Sequence, residues 1–370
     1  MIKNLVVAVF FLSACASILK YKGDKNISEN ADFSKQVIIK SDESAEDKKS
    51  ESIPPNVQSP AQEKPTVVTA PVKEPAKVKP VAQSKVKITN SKKKTAKNKT
   101  DLAKEKEPAP QSTVLVRQPD IEDAEGFDPG SRRPKVDPFQ VGEVVTHSVR
   151  YFAAQAGVVT FKVRPFVEVN NSKSYSFLVD LKSTGIFSKF YSVDDQVETF
   201  VDYNTLNPYV FKLHLKESAQ LKEAQSFFDQ KSLKATYWEN KYTEKDGNTE
   251  KKLEWEILPF SQNAFSGIFY MRVFKWDIGK EYSFRVSDDQ KNIIFKGTAL
   301  AKEKLDTDAG SFNAIKIKAQ IVSRGVLEQA GDILIWVSDD EHKYVLRIEA
   351  KIKIGTLVSE VTSIKPGKAE

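Results

Sequence analysis

The sequence predicts an all-β domain, a large curved antiparallel sheet or open barrel with one short covering helix, preceded by a long disordered tether. Three observations lead there. About a dozen runs after Asp137 alternate apolar and polar residues with the period of two that a half-buried strand requires. From Ser34 to Gly126 there is no Phe, Tyr or Trp, and thirteen of the 17 prolines precede residue 140. A single segment, SQNAFSGIFYMRVFKW from Ser261, groups its bulky residues as a helix would.

At the N-terminus, Lys3 precedes the apolar run LVVAVFFL, Leu5 to Leu12. That run is too short to cross a bilayer core of about 30 Å, which needs roughly 20 apolar residues, and it fits an export signal better. Behind it stands LSAC, Leu12 to Cys15, with the chain's only cysteine. One cysteine excludes an intramolecular disulfide and a cysteine-ligated cluster, and His147, His214 and His342 leave little for a metal centre. LSAC resembles the lipobox of bacterial lipoproteins, in which the cysteine is acylated and the signal peptide is cut off before it. That resemblance implies a signal peptide over 1–14, acyl chains such as palmitate on Cys15, and membrane anchoring by several chains where one would hold only marginally. Ala16 after the cysteine implies sorting to the outer membrane, facing the periplasm, over retention in the inner one.

Residues 15–137 read as the tether. Few large apolar groups are present to offset the entropy of ordering the backbone. Ala61 to Glu107 holds 13 lysines against five acids, an excess larger than the +7 of the whole chain, so the rest is close to neutral. The lysines lack interleaved aromatics, which excludes a stacking platform for nucleic acid. They leave weak contact with an anionic surface as a candidate role. A coil of about 120 residues spans about 60 Å on average, which would let the domain work well away from a lipid surface.

The folded domain is expected over 138–364, with a flexible tail over 365–370. In KYVLRIEAKIKI, Tyr344, Leu346, Ile348, Ala350 and Ile352 share one face, and YVFKLHLK, VVTFKVR and LEWEI alternate in the same way. DILIWVSDD is apolar on both faces, so its strand is either doubly covered or lines a cavity with Trp336. Ser261 is the expected helix N-cap, with Phe265 and Phe269 on the bulky side. The phrases SVDDQ, VSDDQ and VSDDE, from Ser192, Val286 and Val337, read as hairpin turns, since a calcium loop wants more oxygen ligands and a glycine. His147 shares a face with Val145, Val149 and Tyr151. No hydrolase elbow, zinc-protease helix, Walker loop or dinucleotide fingerprint is present.

PFQVGEVVTHSVRYFAAQAGVVTFKV, TGIFSKFYSVDDQVETFVDYNTLNPYVFKLHLKE, NAFSGIFYMR, AGSFNAIKI and GDILIWVSDDEHKYVLRIEAKIKIGTL, in this order, resemble the exported bacterial family called domain of unknown function 3108. The resemblance spans roughly Pro138 to Glu360 and implies an envelope address and a β-rich fold. It brings no catalytic residues.

The expectation is therefore a noncatalytic periplasmic lipoprotein that binds an apolar or amphiphilic envelope molecule or a protein partner, with no cofactor and no metal. Its candidate cavity residues are His147, Phe265, Phe269 and Trp336. A structural link between the membrane and an acidic wall polymer, and a hydrolase with an unrecognised site, are the alternatives.

Overall fold

Each alternating run pairs with the next one along the chain. In the computed structural model, which describes residues 30–41, 132–152, 154–323, 326–327, 333–352 and 355–368, the main strands form one antiparallel sheet. The first meander is β2 (Val144–Tyr151), β3 (Ala154–Val169), β4 (Ser172–Ser183), β5 (Asp194–Asp202), β6 (Pro208–Glu217), β7 (Gln220–Asp229), β8 (Lys234–Thr243) and β9 (Gly247–Glu256). The second is β10 (Glu281–Asp288), β11 (Lys291–Thr307), β12 (Gly310–Ser323), β14 (Ile333–Ser338), β15 (Val345–Ile352) and β16 (Gly355–Lys365), with the short β13 (Val326–Leu327) beside β12. Within each meander neighbouring strands follow one another along the chain, with β13 set aside between β12 and β14, and β16 pairs with β2 to join the two.

Strand direction alternates, so the barrel has two ends. The near end, where the chain enters at Arg132, carries the turns at 170–171, 203–207, 230–233 and 308–309; the far end carries those at 184–193, 218–219, 244–246 and 289–290. No ladder joins β9 to β10. They meet instead through side chains: the Trp255 indole N–H donates to Ser287 Oγ at 2.9 Å, and Asn292 Nδ2 donates to the Glu256 carbonyl at 2.9 Å. Gln262, in the connection, adds a parallel bridge to Val286.

That connection enters the barrel. Ser266–Tyr270 forms a short helix that continues as a 3-10 turn, Met271–Val273. Phe269 stacks on Phe177 of β4 at 4.1 Å, Phe265 lies 5.8 Å from Phe211 of β6, and Tyr270 meets Phe284 of β10 edge-on at 5.2 Å. The helix therefore fills the concave side as a plug, which explains why its aromatic residues lie on every side of it. Trp276 follows, fully buried, and Gly297 makes room for it: a Cβ there would stand 2.6 Å from the indole ring. The expected Ser261 cap is replaced by Asn263, whose Oδ1 accepts from the backbone N–H groups of Phe265 (3.0 Å) and Ser266 (2.7 Å).

The near end is stitched shut. Arg272, from the plug, forms a buried ion pair with Glu143 at 2.7 Å, and its remaining donors reach the carbonyls of His342 and Pro138 at 2.9 Å. Arg132, 1% exposed, donates to the Thr205 carbonyl at 2.7 Å and to the Tyr270 hydroxyl at 3.1 Å. Arg133 reaches the Tyr203 carbonyl at 2.8 Å and Asp137 at 2.7 Å. Contacts with the barrel thus extend before the expected boundary at Pro138, because two arginines in that approach find carbonyl partners. At the other terminus, Val141 and Lys368 form a β-bridge where a flexible tail was expected. Gly367 permits it, since a Cβ there would lie 2.4 Å from the Gln140 carbonyl oxygen.

A further difference lies inside the expected tether. Ala31–Gln36 is a helix, α1, and Ile39–Ser41 is a strand, β1, that pairs with Val167–Val169 of β3. Phe33, the last aromatic before the aromatic-free stretch, is what docks it: the ring is 2% exposed against Trp238.

Of the three aspartate phrases, two are turns. Asp289 and Gln290 both take positive φ in the two-residue turn after β10, and Asp340 Oδ1 accepts from the N–H groups of His342 and Lys343, both at 3.0 Å. The first is not, since Asp194 and Asp195 open β5 and Asp195 is buried.

Candidate binding cleft

A cleft of about 180 Å³ opens beside the 289–290 turn, on the inward face of β6 to β9. Register explains why space is left there. Phe211, Ser226, Tyr237 and Leu253 lie in one row across four strands, and Leu213, Ala224, Glu239 and Lys251 in the next. Ser226 is the small member of the first row, and a larger side chain there would close the gap. Phe211, Phe228, Leu253 and Trp255 make the apolar wall.

Polar groups converge on the other side. The Tyr237 hydroxyl donates to Glu239 Oε2, and Lys222 Nζ stands 2.9 Å from the same carboxylate oxygen. Burial on its own would raise the Glu239 carboxyl, but the Tyr237 hydrogen bond and the Lys222 charge outweigh it and hold the group below the usual range. The Tyr237 phenol is pushed up, first by burial and then by its bond to Glu239, so it stays a donor. Lys251, Asp288 and Asp289 complete the lining with Ser287 and Asn263. An aromatic floor beside the Lys222–Glu239 pair and further charged side chains suits the junction of an apolar chain and a polar head group.

The residues singled out from sequence lie elsewhere. His147 is fully buried; its Nδ1 lies 3.0 Å from Ser359 Oγ and its Nε2 2.9 Å from the Val345 carbonyl, which satisfies both ring nitrogens. Burial lowers its pKa to about 4, so the ring is neutral. Phe161 connects it edge-on to Phe269, at 5.3 Å and 6.3 Å, so these two share a neighbour within packed core. Phe265 belongs to the same core. Trp336 stands on the opposite face of its strand, beneath Arg347 and Lys316, and donates to Glu303 Oε1 at 2.6 Å. None of the four lines the cleft. Cys15 lies outside the described residues.

The cleft residues carried a signal that went unused. Lys222, Glu239 and Lys251 occupy the inward parity of β7, β8 and β9, the parity of Phe228, Ala235 and Trp255. A charged residue on the apolar face of three adjacent strands marks where the core ends and an accessible concavity begins. Among the described residues no group of His, Cys, Asp and Glu has the arrangement of a metal site, and no helix is long and apolar enough to cross a membrane.

Comparison with solved structures finds chains of low similarity. A beta-barrel-like protein of the DUF1849 domain from Brucella abortus aligns over 61% of this chain and 98% of its own, with 9% identity and a TM-score of 0.39. A chain assigned as an exported protein with a YmcC-like fold from Bacteroides fragilis aligns over 62% and 99%, with 10% identity and a TM-score of 0.27. One assigned as a lipoprotein from Parabacteroides distasonis aligns over 62% and 99%, with 11% identity and a TM-score of 0.25. No curated protein matches. A family model matches residues 146–362, from the third residue of β2 to near the end of β16, and the chain belongs to that family, described as protein of unknown function DUF3108.

Proposed function

We propose that the protein is a noncatalytic lipoprotein of the cell envelope, acylated at Cys15 and held at the outer membrane facing the periplasm, whose cleft binds an amphiphilic envelope molecule. The observation that carries the binding role is the cleft, in which Phe211, Phe228 and Trp255 face the Tyr237–Glu239–Lys222 network across a gap left by Ser226. Tyr237, Glu239 and Lys222 are paired with one another, and no imidazole lines the cleft to serve as a base. The address rests on LVVAVFFLSAC at the N-terminus. The Lys-rich stretch adds weak attraction to an anionic surface.

The test is solvent extraction and mass spectrometry of natively purified protein, wild type beside Ser226→Trp, with thermal unfolding as a check that the variant folds. An amphiphile is expected in the wild type and at least ten-fold less of it in the variant. Equal retention by both, or none in the wild type after incubation with an envelope lipid extract, overturns the reading. Anchoring has its own test: Cys15→Ser is expected to release the protein from membranes.

A second reading, a protein partner, draws on the far-end rim. Phe152 is 71% exposed and holds a positive φ, while Ile186 and Phe190 are 61% and 60% exposed on the connection after β4. Apolar side chains gathered on one rim suit a protein contact.

A further inference from the structure

The α1–β1 segment is bound by contacts separate from those that hold the barrel together. Phe33 meets Trp238 edge-on at 5.8 Å, and Phe33 and Val37 cluster with Val169, Phe200, Val210 and Trp238 on the outer face of the sheet. None of these six belongs to the main core inside the barrel. Asn170, in the turn after β3, holds the segment at its bend: its Oδ1 accepts from the Ile38 N–H at 2.9 Å, its Nδ2 donates to the Gln36 carbonyl at 3.2 Å, and its own backbone N–H donates to the Ile38 carbonyl at 2.9 Å. Lys40 Nζ donates to Asn171 Oδ1 at 3.1 Å.

The attachment is small and carries a cost. β1 contributes only three register pairs, Ile38 stays 59% exposed, and the buried indole N–H of Trp238 has no hydrogen-bond acceptor. A buried donor without an acceptor favours the state in which water reaches it. The barrel's own core and ladders are complete without the segment.

We propose that Ala31–Ser41 is a releasable clasp, and that the outer-face groove of Val169, Phe200, Val210 and Trp238 sets how far the barrel can move from the chain's N-terminus. With the clasp engaged, the chain from Cys15 to Asn30 spans at most about 50 Å, and about 20 Å as a coil. With it released, the first fixed point is Arg132, and the same connection reaches about 400 Å at full extension and about 60 Å as a coil. The lysine-rich stretch is then not a spacer while the clasp is closed: both its flanks, at Ser41 and Arg132, are fixed on the barrel. The clasp stands independently of Cys15 acylation, and only its meaning as a distance from a membrane rests on that reading.

The experiment uses the purified full chain with a site-specific protease sequence inserted after Gln83. After cutting, gel filtration in native buffer is expected to keep the N-terminal fragment with the barrel in the wild type and to lose at least ten-fold of it in a Phe33→Ala, Val37→Ala double variant. An unchanged circular-dichroism melting midpoint of the double variant's barrel fragment is expected, since the main core is untouched. Separation of the wild-type fragment as complete as the variant's, or full co-elution in both, overturns the proposal, as does a barrel that fails to fold once the clasp is changed.

Discussion

The near end and the cleft of the barrel solve opposite problems with the same kinds of residue. At the near end, charged side chains are buried and fully engaged: Arg272 spends its donors on Glu143 and two carbonyls, and Arg132 on Thr205 and Tyr270. At the cleft, the charged Lys222 and Glu239 engage each other but stand beside an opening of about 180 Å³. The difference teaches that charge inside this barrel does not by itself mark function. What separates the two is whether side chains fill the space, as Phe139 and Phe177 do in one, or leave it, as Ser226 does beside Phe211 in the other.

The comparison is broken most severely by removing a near-end charge. Arg272→Met leaves Glu143 buried without a partner and is expected to cost about 3–5 kcal/mol in urea unfolding. A loss below 1 kcal/mol would show that the near end is not sealed by this pair. The next effect is in pH. His147 titrates at about 4 in the folded chain against 6.5 for an ordinary histidine, so the unfolded chain binds more protons between those values. Stability is therefore expected to fall by about 3 kcal/mol as pH drops from 6.5 through 4. His147→Gln should flatten that slope in thermal unfolding across the same range.

At the far end the sign reverses. Asp195 is pushed up to about 8 by burial and then by Glu217, so the folded chain holds a proton that the unfolded chain, at 3.8, gives up. Stability from this group is full below 3.8 and declines as pH rises towards 8. Asp195→Asn is expected to be more stable than the wild type at pH 8 and nearly equal to it at pH 4, and a variant less stable at both values would contradict the assignment. The smallest effect sharpens the seam: Trp255→Phe deletes the bond to Ser287 and is expected to cost about 1 kcal/mol, while making amide exchange in β9 faster than in β2.

Alternation made the fold legible. Val145, His147 and Val149 are buried as their spacing requires, and Trp336 is buried on the face of its strand opposite Val337. The plug was legible as a helix but not as a filling, because apolar residues on all sides look alike whether a segment covers a sheet or enters it. The cleft was hidden for a different reason. Its two rows are made of residues from four strands, and which residues stand side by side depends on hairpin registers that turn lengths set only locally. The clasp was missed because one aromatic, Phe33, outweighs the polar composition around it.

The joint between the two meanders has a consequence in time. The other ladders between long strands each join neighbours along the chain, whereas β16 against β2 matches Leu357 to Tyr151 and Lys365 to Val144. A chain emerging from its N-terminus would complete the first meander while the inner edge of β2 still waits for a partner some two hundred residues away, so closure comes with the final strand and ought to be the slow step of folding. A truncation just before Gly355 would keep every hairpin before that strand and lose the ring. Refolding that is just as fast after the β16–β2 pairing is weakened at Val361, which is fully buried, would show that closure is not rate-limiting.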